Sequence, residues 1–123
     1  MINFLLLQVA SLLKLTLTPF GYTYGVIRAL YRKEYDQYTL NLALSKDRYG
    51  NALLGYAMND LLITPHGYKF GNGLETISSA LGKNQLAGTL TRFGRIIAGT
   101  LNKIDPNHCI NSIDNTIINQ TNN

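Results

Sequence analysis

The chain has 123 residues, the length of one small domain, and pairs a hydrophobic share of 46% with only 15% charged residues, well below the roughly 25% charge of an ordinary soluble domain. Its net charge is +4, but Lys and Arg form no dense stripe and no aromatic groups interleave with them, which disfavours nucleic acid and leaves an anionic lipid surface as a partner. The single cysteine, Cys109, excludes an internal disulfide.

Residues 2–30 are apolar and carry no acidic side chain. Gln8, Ser11, Lys14 and Thr18 recur every three to four residues, so a helix here shows one narrow polar stripe and is apolar elsewhere. Such a helix needs cover, either packed protein or a membrane interface. A spanning helix needs about twenty apolar residues. Lys14 divides the run from Met1 to Ile27 into two halves of thirteen, and Pro19, Gly21 and Gly25 weaken the second half. The expectation is therefore a helix lying along a membrane surface. Were it to span, Arg28, Arg32 and Lys33 would put its C-terminal end in the cytoplasm. With no basic n-region and no convincing cleavage site, the mature chain is expected to begin at Met1.

Residues 31–109 read as a small helical domain. Most of 32–54 is expected to be helical, with Asp47 and Asn51 four apart on one face. Leu61-Leu62-Ile63-Thr64 and Tyr68-Lys69-Phe70 flank Pro65-His66-Gly67, the pattern of a short β-hairpin. A short helix over 74–81 is expected to stop at Gly82. Thr89 is placed as the N-cap of an amphipathic helix carrying Leu90, Phe93, Ile97, Leu101 and Ile104 on its apolar face, ended by Asp105-Pro106. Residues 110–123 form an Asn-rich tail, expected to be poorly ordered, with a sequon at Asn119-Gln120-Thr121. The fold class is mainly α: a small single domain with an apolar N-terminal helix, a minor hairpin and an amphipathic C-terminal helix.

The sequence has no P-loop, Rossmann glycine pattern, paired-Cys motif, HExxH or GxSxG. Three constellations remain. Asp47 with Asn51 can hold a hard metal ion or orient a water, or cap a neighbouring loop. Glu75, beside Ser78 and Ser79, can act as a general base or favour a helix dipole. Asp105-Pro106-Asn107-His108-Cys109 packs a carboxylate, imidazole and thiol together, but adjacent His and Cys cannot converge as a nucleophile-base pair. There His108 serves as a base or ligand with a carboxylate from elsewhere, or the segment is a helix-stop turn with Cys109 buried.

Taken in order, Ala43-Leu44-Ser45-x-Asp47-x-x-Gly50-Asn51, Gly67-Tyr68-Lys69-Phe70-Gly71-Asn72-x-x-Glu75-Thr76-Ile77-Ser78-Ser79, Leu81-Gly82-Lys83-Asn84 and Asp105-Pro106-Asn107-His108 resemble small proteins encoded in tailed-phage genomes and prophages. The resemblance covers a little over half the chain. It implies phage origin and a hydrophobic start, and brings no established activity. Leu74 stands where members of that family often carry an acid beside the Glu-Thr pair, so Glu75 is the only carboxylate at that point.

Two functional classes follow. One is a membrane-associated accessory or interaction protein at the cytoplasmic face of the host inner membrane, engaging a membrane or a partner protein through residues 2–30. The other is a small hydrolase, perhaps metal-dependent, in which Asp47, Glu75, Asp105 and His108 converge while Ser78 or Asn51 orients substrate. A virion component whose apolar helices pack together as a homo-oligomer is a third expectation. No cofactor is specified by the sequence.

Overall fold

The computed structural model describes residues 1–117; the sequon lies outside them. Five helices follow in order: α1 (Ile2–Tyr31), α2 (Tyr35–Leu61), α3 (Ile77–Ala87), α4 (Arg92–Ile104) and α5 (His108–Asn111). The fold is mainly α, as the sequence pattern predicts. Two compact units meet between Leu42 and Ala43, so α2 contributes its first two turns to one and the rest to the other.

In the first unit α1 runs unbroken through Pro19, where a weakened second half is expected. Hydroxyls tie the helix to its own backbone: Ser11 donates to the Leu7 carbonyl at 2.8 Å, Thr16 to Leu12 at 2.9 Å, Thr18 to Lys14 and Thr23 to Pro19 at 2.7 Å. Those bonds satisfy polar side chains without any partner outside the helix. Only Ala29 of α1 is buried, so the cover this apolar helix demands is not supplied by the chain's described residues.

The turn after α1 closes as a Schellman motif. Glu34 N bonds the Ala29 carbonyl at 2.8 Å, Lys33 N bonds that of Leu30 at 3.2 Å, and Lys33 takes the left-handed conformation at φ 60°. Glycine usually fills that position, so Lys33 sits there at a cost of about 1 kcal/mol. Across the turn the Tyr38 ring lies against Gly25, where a Cβ would meet its hydroxyl end.

The second unit is built around α3. Its core joins Met58 and Leu62, Ile63, Phe70, Ala80, Leu81, Leu90, Ala98 and Cys109. The expected β-hairpin over 61–70 does not form. The described residues contain no strand, only an isolated antiparallel bridge between Ile63 and Leu90. Asparagine side chains take the place of a partner strand. Asn84 Oδ1 accepts from Tyr68 N at 2.8 Å while its Nδ2 donates to the Tyr68 carbonyl at 2.9 Å. Asn59 makes the same pair with Phe70, at 2.7 and 3.1 Å. The backbone groups of Tyr68 and Phe70 are thus bonded with no ladder, because a buried amide needs a donor and an acceptor and not specifically a strand.

Helix α3 does not stop at Gly82 but continues to Ala87, where Gly88 in the left-handed region (φ 70°) caps it. Gly82 lies where α5 packs directly on α3: a Cβ there would fall 2.1 Å from the Cys109 carbonyl oxygen. Its glycine is a packing requirement and not a stop signal. Helix α4 is capped by Thr91, whose hydroxyl accepts from Gly94 N at 3.1 Å; the expected cap, Thr89, instead donates to Asn84 Oδ1 at 2.7 Å. Gly94 and Ala98 are the buried positions of α4, while Phe93 and Ile104 stay exposed. The tail expected to be disordered from 110 is held up to residue 117, because Asp114 N donates to Ser79 Oγ at 2.9 Å and Lys83 Nζ reaches the Ile117 carbonyl at 2.5 Å.

Candidate functional site

The polar residues of the second unit gather at the N-terminal end of α3. Thr76 is the N-cap, its hydroxyl accepting from Ser79 N at 3.1 Å. That geometry fixes Ser78 and Ser79 as neighbours in the first turn, where their side chains diverge by about 100° and enter two separate networks.

The first network is buried. Glu75, with no exposed surface, accepts from Ser79 Oγ at 2.7 Å on one oxygen and from the Tyr68 hydroxyl at 2.7 Å on the other. Lys83 Nζ lies 2.5 Å from the same carboxylate and 4.4 Å above the Tyr68 ring. Burial alone would lower the Lys83 pKa, but the bonds and charges of Glu75 and Tyr68 outweigh it, and the ammonium is held above its ordinary range. Both partners of this ion pair are saturated with hydrogen bonds, the condition under which a buried pair is tolerated.

The second network is a relay. Asp47, from α2, accepts from Ile77 N at 2.7 Å and from Ser78 Oγ at 3.2 Å. Ser78 Oγ is in turn 3.2 Å from His108 Nε2, and His108 Nδ1 is 3.0 Å from Asp105 Oδ2. Ser78 is buried, whereas the His108 and Asp105 side chains are 34% and 65% exposed. In the tautomer that carries its proton on Nδ1, the ring donates to Asp105 and presents an Nε2 lone pair to the Ser78 hydroxyl, the order of a serine-histidine-aspartate triad; in the other, Nε2 donates to Ser78 Oγ. Asp47 competes for the same hydroxyl proton. Next to this relay Cys109 is wholly buried; burial, and secondarily the Asp47 charge, push its thiol pKa up. It is an inert packing group.

Of the six residues singled out by sequence, Asp47, Ser78, Asp105 and His108 therefore join in one hydrogen-bonded chain. Glu75 belongs to the separate buried pair. Asn51 lies apart from this chain and is wholly buried: its side chain accepts from Gly71 N at 2.8 Å and donates to the carbonyls of Asn72 and Glu75 at 3.1 and 2.8 Å, tying down the loop before α3. Among the described residues no three His, Cys, Asp or Glu side chains are grouped to hold a metal ion, so the donor set for a metal-dependent hydrolase is not assembled there.

Sequence reasoning missed Tyr68, Lys83, Asn59 and Asn84 as polar determinants. A signal existed for Lys83, since Glu75, Ser79 and Lys83 are spaced four apart. Every buried side-chain nitrogen and oxygen among the described residues has a hydrogen-bond partner. No family model, curated protein or solved structure matches the chain.

Proposed function

We propose that this chain is a phage-encoded, membrane-anchored accessory protein, with α1 embedded in the host inner membrane and the second unit held at the cytoplasmic face. The observation that carries the reading is that α1 is long and apolar enough to cross a membrane, with none of its most apolar stretch buried. Thirty residues extend about 45 Å, against a hydrocarbon core of about 30 Å. Large apolar side chains from Phe4 to Phe20 are exposed at successive positions such as Leu5, Leu6 and Leu7, so they surround the helix. That favours insertion over lying in the plane, which needs one polar face.

Magnitudes support the same choice. Between residues 2 and 21 the chain has eleven Ile, Leu, Phe and Val residues; at about 0.3–0.6 kcal/mol each they offset the roughly 3 kcal/mol of a central Lys14. Arg28, Arg32 and Lys33 then favour the cytoplasm for all that follows. Carbonate extraction tests the anchor: the full chain stays in the membrane pellet, and Leu6→Arg with Leu13→Arg releases it. Protease added outside intact spheroplasts leaves the second unit uncut. A wild-type chain that remains soluble and monomeric without detergent sinks the reading.

The relay favours a second reading, a serine hydrolase in which Ser78 is the nucleophile, His108 the base and Asp105 its orienting carboxylate. A fluorophosphonate probe then labels the wild-type chain at Ser78 and fails to label the His108→Ala variant. An unlabelled wild type leaves the relay as a structural tie between α3 and α5.

A further inference from the structure

We infer that the cleft between the end of α1 and the start of α2 binds the phosphate of an anionic phospholipid headgroup; the inference rests on the membrane-anchored reading. The cleft lies wholly within the first unit and measures about 530 Å³, inside the roughly 300–1,000 Å³ range of small-molecule sites. Its walls are one face of each helix. Tyr24 and Arg28 of α1 and Arg32 at its C-cap line it at four-residue spacing, and Gln37, Tyr38 and Asn41 line it from α2, so the side chains of each set stack over successive turns.

The chemistry of those walls selects a phosphate. Two guanidiniums one turn apart present forked donors that match phosphate oxygens bidentately. Both arginines are exposed, and among the described residues neither joins an ion pair. Glu34 is the carboxylate of the lining; two arginines against it leave the wall with one net positive charge. Gln37 Nε2 donates to Asn41 Oδ1 at 3.0 Å, which fixes the polar wall on the α2 side.

Position selects a lipid as the source of that phosphate. If α1 enters the membrane from residue 2, about twenty residues of hydrocarbon depth end near Gly21, so Tyr24, Arg28 and Tyr38 fall at headgroup level, where tyrosine is enriched. The cleft would thus open at the depth of the lipid phosphates, and one bound there would join the membrane surface to the α1–α2 turn.

Native mass spectrometry of the full chain, released in mild detergent from nanodiscs of phosphatidylcholine and phosphatidylglycerol, tests this. Retained phosphatidylglycerol is expected on the wild type and is expected to fall about tenfold or more in Arg28→Gln with Arg32→Gln, while flotation with pure phosphatidylcholine vesicles is unchanged. Glu34→Gln, which removes the opposing carboxylate, is expected to retain more lipid, and serves if the double variant is unstable. Equal retention by the wild type and the double variant, with flotation intact, overturns the headgroup site alone; so does unchanged or weaker retention by Glu34→Gln. Displacement of the lipid by inorganic phosphate overturns the lipid as ligand. A wild type that fails to float on any vesicle overturns the anchored reading as well.

Discussion

Helices α1 and α3 invert the usual relation between hydrophobicity and burial. The thirty residues of α1 are mostly Leu, Phe, Val and other apolar types, yet Ala29 is its one buried position. The eleven residues of α3 include Ser78, Ser79 and Asn84, and all three are buried along with Ala80, Leu81 and Gly82. An apolar helix stays bare because nothing in its own unit is large enough to cover it. A polar one is buried because each polar group meets a partner, which removes the desolvation penalty that would otherwise expel it. One helix thus leaves its apolar surface uncovered by the described residues, and the other is the centre of the second unit's interior.

The largest expected effect breaks the polar side of that contrast. Glu75→Gln leaves the Lys83 ammonium without its counter-charge in a nearly closed site and should cost about 3 kcal/mol or more, read as a lowered denaturation midpoint. Adding Lys83→Met to it should recover part of the loss, since the pair acts as a unit. Next comes Asn84→Ala, about 2–3 kcal/mol, because the Tyr68 N–H loses its acceptor and Asn84 also bonds the Ala80 carbonyl and the Thr89 hydroxyl. An unchanged midpoint in Asn84→Ala would show that water replaces the amide and that the loop does not depend on it.

Alkaline titration sharpens the comparison further. The stabilisation from the raised Lys83 pKa is fully present below the unfolded lysine value of about 10.4 and is lost as pH climbs through the higher folded value. Cys109 acts earlier in the same direction: its raised folded pKa means the unfolded thiol ionises first, so stability begins to fall above about pH 8.5. In pH-dependent melts, Cys109→Ala should move that onset upward and leave the lysine step in place. The smallest effect belongs to the apolar helix. Leu12→Gln should shift the unfolding of the second unit by less than about 0.5 kcal/mol, while lowering the fraction of chain recovered with membranes.

Much of the helical layout was legible because helix signals are local. The apolar run of 2–30 and the stop at Asp105-Pro106 declare themselves within a few residues, whereas α3, expected from Leu74, starts only after the Thr76 cap. The hairpin expected at 61–70 fails for the opposite reason: β-prone side chains favour an extended backbone but do not say what will bond it, and Asn59 and Asn84 supply those bonds from α2 and α3. Gly82 looks like a terminator because sequence shows the absence of a Cβ but not the Cys109 carbonyl that requires it. The candidate relay was half legible. Asp105 and His108 are three apart and fit one turn, but Ser78 lies thirty positions from His108, and their meeting depends on α5 folding back over Gly82.

What the sequence determined by itself was the division of labour along the chain, an apolar and acid-free helix followed by polar motifs, since composition and period fix how much surface each helix must hide. Tertiary structure alone decided which polar groups are closed inside the core and which keep exposed surface. Glu75 and Asn51 have the residue types of a catalytic site, yet their hydrogen-bonding capacity is consumed within the core. Ser78 is buried too, but it meets His108, and the His108 and Asp105 side chains keep exposed surface. That distinction depends on which lone pairs and protons meet across segments distant in sequence, and only the packed chain sets those distances.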